Sequence, residues 1–148
     1  MRVQDLIKTK GEVVIAVAET VLIKDAVEIM HKEHIGALVV LAPGNQLRGV
    51  LSEREIIVAL AEHGALALDL HASDLMLRDR PVVGPSDSVR DAMAMMTERR
   101  ARHLPVLIDE AVVGLISIGD TVKARLSEKI AENLVLQDIA RWPAASVA

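Results

Sequence analysis

The sequence predicts an α+β fold built from two similar units, each with the element order β-α-β-β-α. The first observation is an internal repeat: residues 24–30 resemble residues 90–96, and residues 49–55 resemble residues 114–120, at offsets of 66 and 65 residues. The second is that each copy carries one helical run of apolar residues followed by two β-prone runs. Two copies are too few for a solenoid, so the two units are expected to close on each other.

In the first copy, a β-prone run at 13–17 precedes a helix whose apolar residues are Ile23, Ala26, Val27 and Met30. That spacing of i, i+3, i+4 and i+7 is typical of one buried helix face. Residues 37–41 and 48–52 are apolar enough for paired strands, and the turn residues at 43–45 separate them, which predicts a hairpin. A second helix is predicted over 53–62.

In the second copy, the same order recurs from Val82 and Val83 onwards. A helix face with the same spacing, a strand at 103–108, a turn at Asp109-Glu110, a strand at 112–117 and a helix from 118 to about 126 follow. The predicted organisation is unit 1 at 1–63, a linker at 64–71, unit 2 at 72–126, and a C-terminal helix and tail at 127–148. The tail helix is expected to end at Trp142-Pro143.

The composition indicates an aliphatic core and argues against nucleic-acid binding. Of 148 residues, 51% are hydrophobic but only 1% are aromatic, and the formal net charge is −4. Single-strand and RNA binders need basic grooves with stacking aromatic side chains, and this sequence has neither.

The sequence also argues against a membrane or secreted protein. No apolar run reaches the roughly 20 residues of a membrane helix, and the first residues do not resemble a signal peptide. Without cysteine, disulfides and thiolate metal sites are excluded. A cytoplasmic location is therefore expected.

A serine and an acid three residues apart stand where a strand meets a helix in each copy: Ser117 with Asp120, and Ser52 with Glu55. Free amides at a helix start favour anions, so the Ser117 hydroxyl is placed to reach a phosphate while Asp120 accepts the two hydroxyls of a ribose. The alternative is a capping box, which needs no ligand. In the first copy, Glu55 is one carbon longer and either overshoots a ribose or only caps its helix.

Together these residues resemble the tandem CBS-domain pair of small stand-alone bacterial signalling proteins. The resemblance covers nearly the whole chain and is carried by segments 5–7 and 74–76, 35–40, 49–55, 102–106 and 114–120. It implies two units related by a pseudo-twofold axis, with clefts that in many members bind adenine nucleotides or related adenosyl compounds. It also implies association into dimers of pairs.

The resemblance implies further ligand-binding residues. Arg102 and His103 are expected to face ligand phosphates, while Ala16, Val17, Val82 and Val83 are expected to flank an adenine ring. Arg99 and Arg100 are candidate helpers. The alternative for this basic cluster is a solvated basic helix end, and the alternative for the four apolar residues is ordinary core packing. Because Gly36 and Ala37 stand where the second copy has Arg102 and His103, the two clefts are expected to be unequal.

No catalytic constellation or metal motif is recognisable. The chain shows no activated nucleophile and no phosphate-binding loop, and His31 and His34 lack the spacing of the zinc-protease motif. We therefore expect no enzyme, no catalytic cofactor and no metal. The leading hypothesis is a regulatory module that binds an adenine nucleotide (AMP, ADP, ATP or NAD-type), forms a homodimer and acts on an unknown regulated protein. The alternative is a constitutive dimerisation scaffold without ligand.

Overall fold

The computed structural model describes residues 1–11 and 13–142. The helices are α1 (Val3–Lys10), α2 (Ile23–Glu33), α3 (Glu53–His63), α4 (Ala72–Leu75), α5 (Val89–Glu98) and α6 (Ile118–Arg141), with a 3-10 helix at Gly64–Asp69. The strands are β1 (Ala16–Ala18), β2 (Ala37–Ala42), β3 (Gln46–Ser52), β4 (His103–Ile108) and β5 (Ala111–Ser117). α6 ends at Arg141 with Trp142 as its C-cap, where the sequence predicts the helix end, whereas Pro143 and the tail beyond it lie outside the described residues.

The strands form one five-stranded sheet in the order β1-β2-β3-β5-β4. β2 with β3 and β4 with β5 are antiparallel hairpins, as predicted, and β1 runs parallel to β2. The two hairpins join where Gln46 lies opposite Ala111, next to their turns. The α+β class, the repeat and the paired units about a pseudo-twofold axis are thus confirmed.

The repeat is visible in the register of the leading segments. Val17 of β1 lies opposite Val40, and Val83 forms the corresponding parallel bridge with Val106. In the second unit, however, this pairing is a single bridge rather than a strand. The starts of the two corresponding helices also differ, as predicted. At the start of α5 the Ser88 Oγ accepts the Asp91 N–H at 2.9 Å, whereas Leu22 at the start of α2 supplies no cap.

Each unit has its own hydrophobic core, and each core includes a helix that belongs to the other unit in the sequence. α1 contributes Val3, Leu6 and Ile7 to the core of the second unit, and α4 contributes Ala72 to the core of the first. Backbone hydrogen bonds fix the crossing, such as the Val3 N–H to the Asp87 carbonyl at 2.8 Å. The predicted unit bounds remain a prediction, but the two hydrophobic cores interlock across them.

α6 is one continuous helix of 24 residues, which comprises both the helix predicted from residue 118 and the tail helix predicted to continue it. Its first turns pack on the body, where α1 and α5 are its neighbours. Every residue from 129 to 142 is exposed. The helix therefore runs beyond the body of the protein with its apolar side chains uncovered.

Candidate functional site

The junction of β5 and α6 holds Ser117 and Asp120 in a reciprocal cap. The Ser117 N–H donates to the Asp120 Oδ2 at 2.9 Å, and the Asp120 N–H donates to the Ser117 Oγ at 3.1 Å. Ser117 still carries a hydroxyl proton that it can donate elsewhere. The capping box, which was the alternative to a ligand-binding role, is therefore present. It still leaves the Ser117 hydroxyl able to donate and the Asp120 carboxylate able to accept a hydrogen bond from a ligand.

Lys10 reaches Asp120 from the end of α1. Its Nζ donates to the Asp120 Oδ2 and to the Leu115 carbonyl, each at 2.7 Å. Burial alone would raise the pKa of Asp120, but the hydrogen bonds from Lys10 and from Ser117 outweigh it and lower the pKa below its ordinary 3.8. Within residues 1–11 and 13–142, no hydrogen bond reaches Oδ1 of this carboxylate.

A cleft of about 290 Å³ opens around this pair. We call it the Lys10–Asp120 cleft. Its lining comes from both units: Ile7, Lys10, Gly11, Val13, Val14, Ile15, His34, Ile35, Gly36, Ala37, His103, Gly114, Leu115, Ser117 and Asp120. Its volume lies at the lower end of small-molecule sites, which span roughly 300–1,000 Å³.

His103 is the first residue of β4, lies opposite Ser117 and is partly buried. Burial lowers its pKa below the ordinary 6.5, and the positive charges of Arg80 and Lys10 lower it further, against smaller opposite effects of Glu55 and Asp120. The imidazole is therefore neutral at pH 7, with one nitrogen that donates and one that accepts. The pKa of His103 is therefore affected by charged residues on both sides of the pseudo-twofold axis.

The first-copy pair, Ser52 and Glu55, lies outside the Lys10–Asp120 cleft. The Ser52 N–H donates to the Glu55 Oε2 at 2.8 Å, and the Ser52 hydroxyl contacts the same oxygen. The Arg80 guanidinium lies 3.8 Å from the Glu55 Oε1. Glu55 thus caps its helix and faces an arginine from the segment before Val82.

The remaining predicted residues lie in other places. Ala16 and Val17 line an open groove beside residues 41–45. Val83 is buried in the second core, whereas Val82 and Arg102 are exposed. The Arg102 carbonyl accepts the Ile118 N–H at 2.9 Å, and its side chain is not part of the cleft lining. Of the predicted set, the structure brings together Ser117, Asp120 and His103.

Sequence reasoning missed the residues that the first unit contributes. Lys10 and the segments 13–15 and 34–37 face Ser117 and Asp120 across the cleft. The exchange of α1 onto the second core explains this placement, because α1 ends at Lys10. The signal in the sequence was the glycine after the helix: Gly11 has φ of +106°, which ends α1 and turns the chain towards the cleft.

Each of the two repeats matches the family model of the CBS domain, over residues 3–62 and 72–127. The chain belongs to the CBS-domain family. Its two matched segments coincide with the repeat found in the sequence.

A curated plant protein is similar to this chain. The chain is 37% identical over 108 residues to the mitochondrial CBS domain-containing protein CBSX3 of Arabidopsis thaliana, covering 70% of this chain and 52% of that protein. The chain therefore spans about half the length of that curated relative.

Solved structures share the fold. The CBS-domain protein ATU1752 of Agrobacterium tumefaciens is 35% identical, with a TM-score of 0.80 over 84% of this chain and 92% of the other. The structure of CBSX2 in complex with AMP is 27% identical, with a TM-score of 0.66 over 78% of this chain and 90% of the other.

Two further observations concern function only indirectly. Within the part of the chain that the structure describes, none of the helices is long and apolar enough to cross a lipid bilayer. In residues 1–11 and 13–142, no three His, Asp or Glu side chains cluster as metal ligands would.

Proposed function

We propose that this CBS pair is a non-catalytic regulatory module of the cytoplasm that binds an adenine nucleotide (AMP, ADP, ATP or NAD-type) in the Lys10–Asp120 cleft. The observation that carries the proposal is that Ser117, Asp120 and His103 line one cleft together with Lys10. The AMP complex of the similar protein CBSX2 supports the ligand class.

The polar groups divide between the ribose and the phosphate. The Asp120 Oδ1 is free to accept a ribose hydroxyl, and Oδ2 accepts another when Lys10 moves away. The Ser117 hydroxyl and the amide groups at the start of α6 favour a phosphate, because a helix N-terminus attracts anions. Lys10, with its side chain 42% exposed, has room to follow that phosphate.

The base would lie against aliphatic groups. Val14, Ile15 and Ile35 line the cleft, and the only Phe, Tyr or Trp residue of the chain, Trp142, is at the far end of α6. The only rings in the cleft lining are the imidazoles of His34 and His103, so the base gains chiefly from burial. We therefore expect affinity in the micromolar range, which corresponds to about −8 kcal/mol. The lining of this cleft does not include Ala16, Val17, Val82, Val83, Arg102, Ser52 or Glu55.

The test is a thermal-shift and calorimetry panel of AMP, ADP, ATP, NAD and S-adenosylmethionine. A ligand at about 100 times its Kd adds roughly 2.7 kcal/mol of stability, which raises the midpoint by several degrees. Asp120→Ala should remove the shift. Asp74→Ala is the matched control, since the Asp74 carboxylate caps α4 with the same geometry and is remote from the cleft lining. A full response in Asp120→Ala would refute the site.

A regulatory role requires that the ligand favour one arrangement of the molecule over another. The cleft is lined by residues from both units, so an occupant contacts both. Its differential affinity for the two arrangements sets the packing that a regulated protein recognises.

We propose that the protein acts as a homodimer, because α6 exposes Leu126, Ile130, Leu134, Leu136 and Ile139 by more than half.

Light scattering tests the homodimer. A dimer has twice the 16.0 kDa mass of the chain. Leu134→Asp should shift it to the monomer, while Gln137→Glu, which also adds one negative charge to exposed α6, should not. A wild-type monomer at tens of micromolar would refute the homodimer.

The second candidate function, a dimerisation scaffold without ligand, is favoured by one observation: Ser117 and Asp120 already cap α6 with each other. If no compound in the panel shifts the midpoint and the dimer persists, the scaffold replaces the sensor.

A further inference from the structure

The last helix of the first repeat turns an apolar side to solvent. α3 buries one side in the body of the protein, but large apolar side chains on its other side are exposed. The 3-10 helix that follows packs beside α3 and adds Leu66, which is 73% exposed. We call this surface the α3 face; its residues are Ile57, Val58, Leu60 and Leu66. Exposed apolar side chains that cluster in this way are typical of an interaction site.

The last helix of the second repeat continues beyond the body. α6 has 24 residues, whereas the corresponding α3 has 11. Every residue from 129 to 142 is exposed, and we call this part the α6 extension. Within the described part of the chain, no surface covers it. Its large apolar side chains, each more than half exposed, are Ile130, Leu134, Val135, Leu136, Ile139 and Trp142.

The apolar residues of the α6 extension lie on more than one side of the helix. At 3.6 residues per turn, Ile130 and Leu134 share one side. Val135, Ile139 and Trp142 share another, about a third of a turn away. A helix that packs on a single surface needs only one apolar stripe, whereas a helix that is apolar on several sides is covered on several sides. Two apolar sides therefore call for two apolar surfaces.

The ends of the α3 face and of the α6 extension carry opposite charges. Glu53 and Glu62 lie at the two ends of α3, and both are exposed. Lys129 and Arg141 lie at the two ends of the extension, and both are exposed. At 1.5 Å per residue, the acids are about 14 Å apart and the cations about 18 Å apart, a difference that long side chains can span. The signs match in either direction of the extension. The exposed charges between these ends also have opposite signs: Arg54 on α3, and Glu132 and Asp138 on the extension.

The combined area of the two surfaces suits a stable dimer. Fully burying a large apolar side chain removes on the order of 100 Å² of apolar surface from water. The two surfaces have ten such side chains, eight of them more than half exposed. Covering them would remove on the order of 600 Å² from each copy. A standard interface buries roughly 800 Å² per partner, of which somewhat more than half is apolar.

We propose that the α6 extension of one copy lies along the α3 face of a second copy, and that the contact is reciprocal. The side of the extension that carries Val135 covers the α3 face, while the side that carries Leu134 contacts the α6 of the second copy. Such an interface is isologous and closes at two copies. The proposal rests on the homodimer proposed above and adds which surfaces meet in it.

Disulfide cross-linking tests this α3–α6 contact without background, because the chain has no cysteine. Ile57 lies near the middle of α3 and Val135 near the middle of the extension, so the two lie close together in either direction of the helix. The double variant Ile57→Cys with Val135→Cys is oxidised and run on a non-reducing gel. We expect a covalent dimer from the double variant and from neither single variant.

The matched control is Ile108→Cys with Val135→Cys, since Ile108 is an exposed isoleucine at the end of β4. Equal linkage in the control overturns the α3–α6 contact. A covalent dimer from Ile57→Cys alone also overturns it, because α3 would then face α3. A disulfide within one chain overturns it as well, since the extension would fold back on its own α3.

Light scattering separates a failure of this contact from a failure of the homodimer. If the wild type is a dimer but the double variant forms no covalent dimer, the homodimer stands and the α3–α6 contact is overturned. A wild-type monomer overturns the homodimer and the contact with it.

A charge on the α3 face gives a second measurement. Ile57→Asp should weaken dimerisation at least about tenfold, because the contact would bury an unpaired carboxylate. Ile108→Asp should leave dimerisation within about threefold of wild type. Both isoleucines are exposed, so the two substitutions place the same charge on the surface of the folded chain. A dimer that tolerates Ile57→Asp would leave the α3 face to a regulated protein and overturn the proposal.

Discussion

The Lys10 Nζ lies 2.7 Å from the Asp120 Oδ2, although 110 residues separate the two in the chain. The acid expected to hold a ribose is therefore already paired with a cation from α1. Because the Lys10 side chain is 42% exposed, it has room to leave Asp120 and to meet a negative group of the proposed ligand instead. We expect this exchange to distinguish charged ligands from uncharged ones.

Lys10→Met should separate adenosine from ATP. Without the ammonium, adenosine no longer has a competitor for Asp120, and its affinity should hold or rise by up to about tenfold. ATP loses a partner for its phosphates and should bind about tenfold more weakly, as the loss of one charge-assisted hydrogen bond implies. Calorimetry of both ligands measures the ratio. Lys8→Met controls for net charge, and an equal change for both ligands in Lys10→Met would contradict the exchange.

Asp120→Ala should destabilise the protein in a pH-dependent way. The folded pKa of Asp120 is lowered, so its stabilising contribution is present above the ordinary 3.8 and is lost as the pH falls through the folded pKa. At pH 7 we expect a cost of about 1 kcal/mol, the usual value of a helix cap. Urea unfolding of the two proteins at several pH values gives the difference curve. A difference that grows on acidification would refute the assignment.

His103 also lowers the stability of the protein on acidification, but in a pH range nearer to neutral. Its folded pKa lies below the ordinary 6.5, so the unfolded chain binds more protons there, and stability falls as the pH drops through 6.5 towards the folded pKa. His103→Asn removes this loss. We expect the wild type to lose stability relative to His103→Asn between pH 7 and 5, measured by urea unfolding at each pH. Parallel curves of stability against pH for the two proteins would show that burial does not disfavour the protonated form of His103.

Local features of the fold followed from the sequence. The strand at 103–108 and the cap at Ser88 were predicted as the structure has them, because strand propensity and capping depend on residues a few positions apart. The single bridge at Val83 was not, since two valines predict a strand without indicating how many residues pair.

Non-local features did not follow from the sequence. No helix was predicted before residue 13, and a sequence pattern would not indicate which core its apolar face contacts; α1 packs on the second. The same limit applies to the candidate site. Ser117 and Asp120 are three residues apart and were found together, whereas Lys10 and Arg80 reach their acids only through the exchanged packing.

Two glycines test that exchanged packing directly. A Cβ at Gly49 would lie 2.7 Å from the Leu77 carbonyl oxygen, whereas one at Gly114 would lie 2.8 Å from the Ile7 Cδ1. A side-chain methyl can rotate away but a paired backbone carbonyl cannot, so Gly49→Ala should cost more than Gly114→Ala. We expect both to fall within the roughly 1–3 kcal/mol of overpacked sites, measured by urea unfolding.

Gly84→Ala is the matched control, because its Cβ would meet nothing closer than 3.8 Å. Gly114→Ala carries a second consequence, since Ile7 belongs to the helix that ends at Lys10. Displacing Ile7 should move Lys10 away from Asp120 and weaken nucleotide binding more than Gly49→Ala does. If Gly49→Ala and Gly84→Ala are equally stable, the crossing segments do not pack on the sheet as closely as the structure has them.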